Sequence, residues 1–263
     1  NMHVGFKSDK GLRRTNNEDA CFVMLPDKVY VVADGVGGSN AGEIASRTAV
    51  NEIANYITEH PIAEATNKYA IVNYLQKCLD EANKEIFRLS HTYEENSGMA
   101  TTVVIVYAID NKAYITNIGD SRAYLYRHGK LIQLTEDHTY VNTLVKAGIL
   151  SREQAEVDER KNVITKALGA EPTVEPDFFQ LDIVPDDIFV LCTMKDDIFV
   201  ICTDGLYDEV ENGEMIEVLN KNQSMSDVCT ELINRANKNG GRDNITVICL
   251  KVTEEDIDEQ QIT

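Results

Sequence analysis

Residues 29–38 read Val-Tyr-Val-Val-Ala-Asp-Gly-Val-Gly-Gly, an apolar run that ends abruptly in an aspartate and three glycines. A short apolar run rich in β-branched residues predicts a buried strand. A carboxylate such as Asp34 at the tip of a rigid strand is costly unless positive charge meets it. The glycines allow a sharp turn, so the Gly35 carbonyl can face the same object, and a hard divalent cation takes such oxygen ligands. An ordinary strand-to-helix turn explains the same residues equally well.

Composition and charge are those of a soluble globular protein. The chain has 263 residues, of which 43% are hydrophobic and 26% are charged. Its 44 acidic and 25 basic residues give a formal net charge of -19, so neither nucleic acid nor an anionic membrane is an expected partner. The acidity serves either solubility or the binding of metal ions by acidic clusters.

Three observations favour a cytoplasmic location. The first residues lack the apolar core of a signal peptide. No apolar run approaches the ~20 residues that a membrane span needs. The six cysteines are scattered, without a CxxC pair or a histidine at ligand spacing, so neither disulfides nor a zinc site is expected.

The order of the predicted elements favours one α+β domain over residues 1–263. Strands are predicted at 21–25, 29–33, 101–108, 112–118, 121–127, 130–134, 178–184, 186–193, 196–203 and 245–252, and helices at about 41–60, 66–91, 212–221 and 226–238. Strands and helices come in groups rather than in regular βαβ alternation, which indicates largely antiparallel sheets. No linker rich in proline, glycine and serine divides the chain. Residues 137–168 are charged and weakly helical, as expected of a surface excursion.

A ten-residue duplication interrupts the strand pattern. Residues 186–195 read DDIFVLCTMK and residues 196–205 read DDIFVICTDG, so seven of the ten aligned positions are identical. Because ten is even, exchanging one copy for the other leaves every side chain on its original face. Only the second copy supplies Asp204, whereas the first has Met194 there. The working hypothesis places the second copy in the sheet and the first in a bulged loop or an added edge strand. A register switch and a neutral duplication are the alternatives.

Acidic residues recur where predicted strands end or begin. Asp34-Gly35 and Asp204-Gly205 each end a strand, Asp120 lies in a hairpin turn, and Asp243 precedes the last strand. Each is explained singly by turn formation, since turns favour Asp, Asn and Gly. Four carboxylates at sheet ends can instead converge on one cleft, where they would repel one another unless metal ions held them together.

The same positions carry a resemblance to a known family. The ordered motifs are Arg14-x-x-Asn17-Glu18-Asp19, Asp34-Gly35-x-Gly37-Gly38, Met99-Ala100-Thr101-Thr102, Gly119-Asp120-Ser121-Arg122, Thr203-Asp204-Gly205-Leu206 and Asp243-Asn244-Ile245-Thr246. Over about residues 3–252 the chain resembles the metal-dependent serine/threonine protein phosphatases of the PPM or 2C type, and most closely their short bacterial members. The resemblance implies a four-layer α-β-β-α sandwich, in which two mainly antiparallel sheets pack face to face with helices on both outer sides.

The resemblance also implies a role for each matching residue. Asp34 would bridge two Mn²⁺ or Mg²⁺ ions, the Gly35 carbonyl would bind one of them, and Asp204 and Asp243 would complete the other site. Glu18 and Asp19 would act at the metal edge, and Asp120 with Asp204 would form a third, weaker position. Arg14 would hold the substrate phosphate through its planar fork. A water that bridges two such ions can attack phosphorus directly. The implied partners are phosphoproteins, the targets of a cognate serine/threonine kinase.

Some positions depart from the family pattern. Val36 stands where many eukaryotic members have a histidine proposed as general acid, so metal-bound water would protonate the leaving group. His138 is the nearest candidate histidine, and a structural role is expected for it. Residues 139–168 correspond to the mobile flap of bacterial members. Asp158 falls about where some of them carry a histidine, so their substrate preference does not transfer.

Two other functions stay open at this point. The duplicated strand could spoil the site and leave a catalytically impaired relative that acts as a binding or regulatory module. The retention of every ligand position argues against that function. An acidic calcium-binding protein is the other alternative, but it does not explain Arg14, and the chain has no EF-hand loop pattern.

Overall fold

The chain folds into two antiparallel sheets that face each other, with helices on both outer sides. The computed structural model describes residues 2–179 and 190–253. The strands are β1 (His3–Asp9), β2 (Asp19–Met24), β3 (Val29–Val36), β4 (Ala100–Thr101), β5 (Val103–Ile109), β6 (Lys112–Ile118), β7 (Arg122–Arg127), β8 (Lys130–Gln133), β9 (Asp177–Phe178), β10 (Leu191–Cys192), β11 (Ile198–Cys202) and β12 (Ile245–Lys251). The helices are α1 (Ala41–Glu59), α2 (Lys68–Thr92), α3 (Tyr140–Lys146), α4 (Arg152–Glu156), α5 (Asp204–Tyr207), α6 (Asn212–Leu219) and α7 (Met225–Lys238).

Sheet 1 has the strand order β1-β12-β11-β7-β8, and sheet 2 has the order β10-β6-β5-β3-β2. The short strands β4 and β9 pair with β3 and β6, respectively. Every pairing is antiparallel. This architecture confirms the predicted α-β-β-α sandwich.

Strand β3 shows why the sequence around it is apolar without interruption. Val29 and Val31 face the helices α1 and α2, whereas Tyr30 and Val32 face sheet 1. Strand side chains alternate between the two faces, so a strand covered on both sides needs apolar residues at every position. The inner layer between the sheets also takes side chains from β5, β11 and β12. Helices α6 and α7 cover the outer face of sheet 1.

The two copies of the duplication take different places. The second copy forms β11, which is buried between β12 and β7 in sheet 1. Of the first copy, residues 186–189 lie outside the described part, and Leu191–Cys192 pairs with Lys112 and Ala113 at the edge of sheet 2. The prediction that the second copy occupies the sheet is confirmed. Predicted strand 178–184 begins as the two-residue β9, and its remainder from 180 onward lies outside the described residues.

Gly205 explains why the second copy is the one that fits. A Cβ at Gly205 would lie 1.9 Å from the carbonyl oxygen of Asn244, so only glycine is tolerated there. In the alternative register Lys195 would stand at this position and would collide with the backbone before β12. The packing at the end of β11 therefore opposes a register switch.

Residues 139–168 contain the short helices α3 and α4. Thr139 caps α3 by accepting a hydrogen bond from the Asn142 amide, and Ser151 begins α4 with a capping box. Three large apolar side chains here, Ile149, Val157 and Val163, are exposed. Most of the segment thus lies on the surface, as its charged and weakly periodic sequence predicts, whereas Val141 and Leu168 at its two ends are buried. Among the described residues, none of the helices combines the length and apolar character that a membrane crossing requires.

Candidate metal centre

Three carboxylates meet where the ends of the two sheets come together. Asp34 lies near the end of β3 in sheet 2, Asp204 begins α5 directly after β11, and Asp243 precedes β12. One carboxylate oxygen from each lies within 4.8 Å of the others. The strand ends that the sequence marks with Asp-Gly therefore converge, and this convergence is the main geometric requirement of the predicted metal site.

The backbone around Asp34 is held closely by its neighbours. The Asp34 amide donates to Thr102 Oγ1 (3.0 Å), and the Thr102 amide donates to the Asp34 carbonyl (2.9 Å). The Gly35 amide donates to the Glu18 carbonyl (2.9 Å). A Cβ at Gly35 would lie 1.8 Å from the Gly42 carbonyl oxygen, so a glycine is required for α1 to begin this close to the strand. The end of β3 is thus fixed by hydrogen bonds and close packing within the protein.

The cluster is electrostatically unfavourable without positive charge. Burial and the nearby Asp19 and Asp204 raise the pKa of Asp34 well above its usual range. Burial also raises the pKa of Asp204 to about 6, and the neighbouring Asp243 adds to this effect. For Asp19, burial raises the pKa to about 7, against the opposing effect of hydrogen bonds from Thr246 and Thr203. Buried carboxylates that crowd together in this way need a cation to stay ionised together.

Several buried oxygens of the cluster lack a hydrogen-bond partner within the protein. Within the described part of the chain these include Glu18 Oε2, Asp19 Oδ1 and Asp204 Oδ1. Unpaired buried carboxylate oxygens are costly, and a metal ion would satisfy them. The donor set consists only of oxygen atoms, which suits Mg²⁺ and Mn²⁺. The residues present therefore fit a hard divalent cation.

One cleft joins the predicted residues. Its volume is about 240 Å³. The predicted site residues that line it are Arg14, Glu18, Asp34, Gly35, Asp120, Asp204 and Asp243. Asp19 is the exception, because it lies behind this lining and is only 7% exposed. Arg14 stands at the rim with its side chain 49% exposed, and its Nη2 lies 3.4 Å from Asp243 Oδ1.

Asp120 is held in the cleft by a partly buried network of its own. The Tyr207 hydroxyl donates to the Asp120 carbonyl (2.7 Å), and the Arg122 guanidinium lies 3.6 Å from the centre of the Tyr207 ring. Arg122 in turn donates from Nε to Asp137 Oδ1 (2.9 Å). Burial and the neighbouring Asp204 raise the pKa of Asp120 well above its usual range.

The comparisons with known proteins identify the family. The family model described as protein phosphatase 2C matches residues 12–248. The chain belongs to the protein phosphatase 2C family. It is thus a serine/threonine phosphatase by class, and such enzymes are hydrolases.

Full-length relatives agree with this assignment. The serine/threonine phosphatase stp of Listeria monocytogenes is 36% identical over 253 residues, which span 95% of this chain and 96% of the relative. The protein phosphatase PhpP of Streptococcus pneumoniae is 33% identical over 258 residues, which span 97% of this chain and 99% of the relative.

Solved structures of the family share the fold. The serine/threonine phosphatase of S. agalactiae superposes with a TM-score of 0.86 at 32% identity and covers 96% of this chain and 100% of its own. PstP/Ppp of Mycobacterium tuberculosis superposes with a TM-score of 0.84 at 29% identity, and the match covers 96% of this chain and 99% of PstP/Ppp. A PstP catalytic domain in complex with two manganese ions superposes with a TM-score of 0.82 at 30% identity, and the match covers 96% of this chain and 99% of that domain. The family uses divalent metals.

Two residues that the family pattern left in question have structural roles in this 2C-type phosphatase. His138 Nδ1 accepts from the Gly119 amide (2.8 Å), and its Nε2 lies 2.7 Å from Asp177 Oδ2. This satisfied pairing confirms the expected structural histidine. Asp158 accepts hydrogen bonds from Arg160 Nε (2.9 Å), Arg160 Nη2 (2.9 Å) and the Arg160 amide (2.8 Å). These hydrogen bonds lower the pKa of Asp158 to about 2.

Three residues inside the quoted motifs have site roles that the sequence did not reveal. Asn244 Oδ1 accepts from the Glu18 amide (2.9 Å), while its Nδ2 donates to the carbonyls of Lys10 and Asn16 (both 2.8 Å). Asn244 thereby holds the loop that carries Glu18. Thr203 and Thr246 both donate to Asp19. The only signal in the sequence was their position beside Asp204 and Asp243.

Proposed function

We propose that this 2C-family phosphatase hydrolyses phosphoserine and phosphothreonine in proteins with the help of Mn²⁺ or Mg²⁺. The observation that carries the proposal is the convergence of Asp34, Asp204 and Asp243 within 4.8 Å. The unpaired buried oxygens of Glu18, Asp19 and Asp204 support it. The relatives named serine/threonine phosphatases support the substrate class.

Each site residue takes a distinct role in this proposal. Asp34, the Gly35 carbonyl, Asp204 and Asp243 hold two core ions. Glu18 and Asp19 act at the edge of the site, and Asp120 with Asp204 holds a third ion more weakly. When bound, such ions supply the positive charge that makes water nucleophilic near neutral pH and neutralises phosphate oxygens. The hydrogen bonds to the Asp34 and Gly35 backbone keep the Asp34 carboxylate and the Gly35 carbonyl in place for this purpose.

Arg14 binds the phosphoryl group of the substrate. Its guanidinium is half exposed at the rim of the cleft, and its contact with Asp243 at 3.4 Å is longer than a good charged hydrogen bond. Its donors are therefore available to a phosphate, whose oxygens match the planar fork. The described residues that line the cleft include no histidine, so the chain offers no imidazole acid there.

The wider setting follows from the same assignment. The whole chain, residues 1–263, acts as one phosphatase domain with residues 139–168 as its flap, and the family match over residues 12–248 supports this. Its substrates are phosphoproteins, the targets of a cognate kinase. Six free cysteines suit the reducing cytoplasm. A catalytically impaired binding module is less well supported, because Asp204 lies with the other ligands and Met194 is exposed elsewhere.

The test is metal-dependent hydrolysis of a phosphothreonine peptide by the purified protein. We expect Mn²⁺ to support phosphate release and EDTA to abolish it. Asp34→Ala and Asp204→Ala should each abolish activity, whereas Asp80→Ala, on the exposed face of α2, should retain it. Hydrolysis that survives EDTA, or that persists in Asp34→Ala, would contradict the proposal.

A further inference from the structure

The Asp19 carboxylate connects the two sheets beside the metal centre. Asp19 is the first residue of β2 in sheet 2, directly opposite Asp34 of β3. Its Oδ2 accepts hydrogen bonds from Thr203 Oγ1 (2.8 Å) and Thr246 Oγ1 (2.7 Å). Thr203 follows β11 and Thr246 lies in β12, so both hydroxyls belong to sheet 1. Two donors from one sheet therefore hold a carboxylate of the other.

The direction of the hydrogen bond from Thr203 is fixed by its surroundings. Thr203 Oγ1 accepts from the Thr246 amide (3.1 Å), and the Thr203 amide donates to the Thr246 carbonyl (3.1 Å). A hydroxyl carries a single hydrogen. With the amide hydrogen already directed at its oxygen, Thr203 gives its own hydrogen to Asp19.

The hydrogen bond from Thr246 is fixed by a chain of donors behind it. Asn17 Nδ2 donates to Ser8 Oγ (2.9 Å), and Ser8 Oγ lies 2.7 Å from Thr246 Oγ1. An amide nitrogen can only donate, and an ionised carboxylate can only accept. The chain therefore runs from Asn17 through Ser8 and Thr246 to Asp19. Asn17 itself is oriented because its Oδ1 accepts from the Asp19 amide (3.0 Å).

This arrangement leaves one Asp19 oxygen without a partner. Both hydroxyls bond to Oδ2, whereas Oδ1 is buried and receives no hydrogen bond within the described part of the protein. Two donors on one oxygen fix the orientation of the carboxylate plane. The second oxygen is thereby held in a single place on the residue that pairs with Asp34, and as an unpaired buried atom it requires a ligand.

We infer that Thr203 and Thr246 are positioning residues, whose hydroxyls hold Asp19 so that its Oδ1 is available to divalent ions. The inference rests on the proposed function, since it needs ions at the cluster. Residues that orient metal ligands without touching the metal commonly change metal affinity by about 10–100-fold when they are replaced. The two threonines meet this description because each hydroxyl donates to the Asp19 carboxylate while neither threonine lines the cleft.

The test compares two substitutions of Thr246 by calorimetric titration of the full chain with Mn²⁺. Thr246→Val keeps the shape of the side chain and removes the hydroxyl, and we expect it to weaken Mn²⁺ binding by about 10–100-fold. Thr246→Ser keeps the hydroxyl and should bind close to wild type. Thr58→Val is the matched control, because it removes an exposed hydroxyl of α1 that donates to the Ala54 carbonyl and has no part in the hydrogen bonds to Asp19.

A thermodynamic cycle shows whether the effect passes through Asp19. In an Asp19→Ala background, Thr246→Val should cause little further loss of affinity, because the carboxylate it orients is gone. Circular dichroism establishes that each variant is folded. If Thr246→Val is not, Thr203→Val and Thr203→Ser provide the same comparison.

Each outcome bears on a specific claim. If wild type binds Mn²⁺ but the Val and Ser variants bind equally well, the positioning role is wrong and the proposed function stands. A loss in Thr246→Val that is equally large in the Asp19→Ala background also overturns the inference. Failure of the wild-type protein to bind Mn²⁺ overturns both the inference and the proposed function.

Discussion

Replacing Arg127 by methionine is expected to destabilise the protein substantially, because it leaves a buried carboxylate unpaired. Asp197 is 1% exposed, and its two oxygens accept from Arg127 Nε (2.9 Å) and Nη2 (2.8 Å). Arg127 also donates to the Cys192 carbonyl (2.9 Å). The pair thus joins the end of the first copy of the duplication to the beginning of the second.

The magnitude follows from the burial of the two partners. Removing one partner of a fully buried ion pair costs about 3–5 kcal/mol. Arg127 is 25% exposed, and Asp197 Oδ2 keeps a hydrogen bond from the Met194 amide (2.7 Å), so the lower end of this range applies. We expect the free energy of unfolding to fall by about 3 kcal/mol. At about 2–4 °C per kcal/mol for a chain of roughly this size, that corresponds to a Tm about 6–12 °C lower.

The assay is thermal unfolding followed by circular dichroism in EDTA, so that metal binding does not contribute. Arg88→Met is the matched control, because Arg88 makes a similar two-bond contact with Glu85 on the surface of α2. The Arg88 side chain is 59% exposed, so its loss should lower the free energy of unfolding much less than the loss of Arg127 does. Equal and small effects of the two substitutions would refute the argument from burial.

Three further predictions concern the site and its support. Mn²⁺ at about 100 times its Kd should stabilise the folded protein by about 2.7 kcal/mol, and Asp204→Asn should remove most of this gain. Thermal melts with and without Mn²⁺ measure it, and an unchanged gain in the variant would contradict the ligand assignment. Arg14→Ala should raise KM for a phosphothreonine peptide and leave Mn²⁺ binding intact, because Arg14 binds phosphate. Steady-state kinetics with calorimetry test this, and a loss of Mn²⁺ binding would instead make Arg14 part of the metal site. His138→Ala should lower the free energy of unfolding by about 1–3 kcal/mol, because it leaves the buried Gly119 amide unpaired. Urea unfolding measures the loss, and an unchanged midpoint would contradict a structural role.

The fold could be predicted largely because local patterns match the final burial. The run at residues 29–33 is apolar throughout, and β3 is covered on both faces. The apolar face of the helix predicted at 41–60 includes Ala45, Ala49 and Ile53, and α1 buries all three. Strand ends marked by Asp-Gly also predicted which carboxylates converge, since antiparallel strands bring distant residues to one edge.

Other features depend on contacts that the sequence does not express. The choice between the two copies of the duplication depends on the space beside Gly205, which the Asn244 backbone limits. The support of Asp19 depends on hydrogen bonds from Thr203 and Thr246, which are separated from it in sequence by 184 and 227 positions, respectively. Neither contact follows from periodicity or turn chemistry, because the first arises when β11 pairs with β12 and the second when the two sheets pack.

The most direct test of the account is the position of Mn²⁺ in a crystal of the protein. Diffraction data collected near the manganese absorption edge locate the ions independently of the rest of the structure. We expect manganese peaks between the carboxylates of Asp34, Asp204 and Asp243. The absence of manganese from this cluster in a protein that is active with Mn²⁺, or an Asp204 carboxylate turned away from the bound ions, would contradict it.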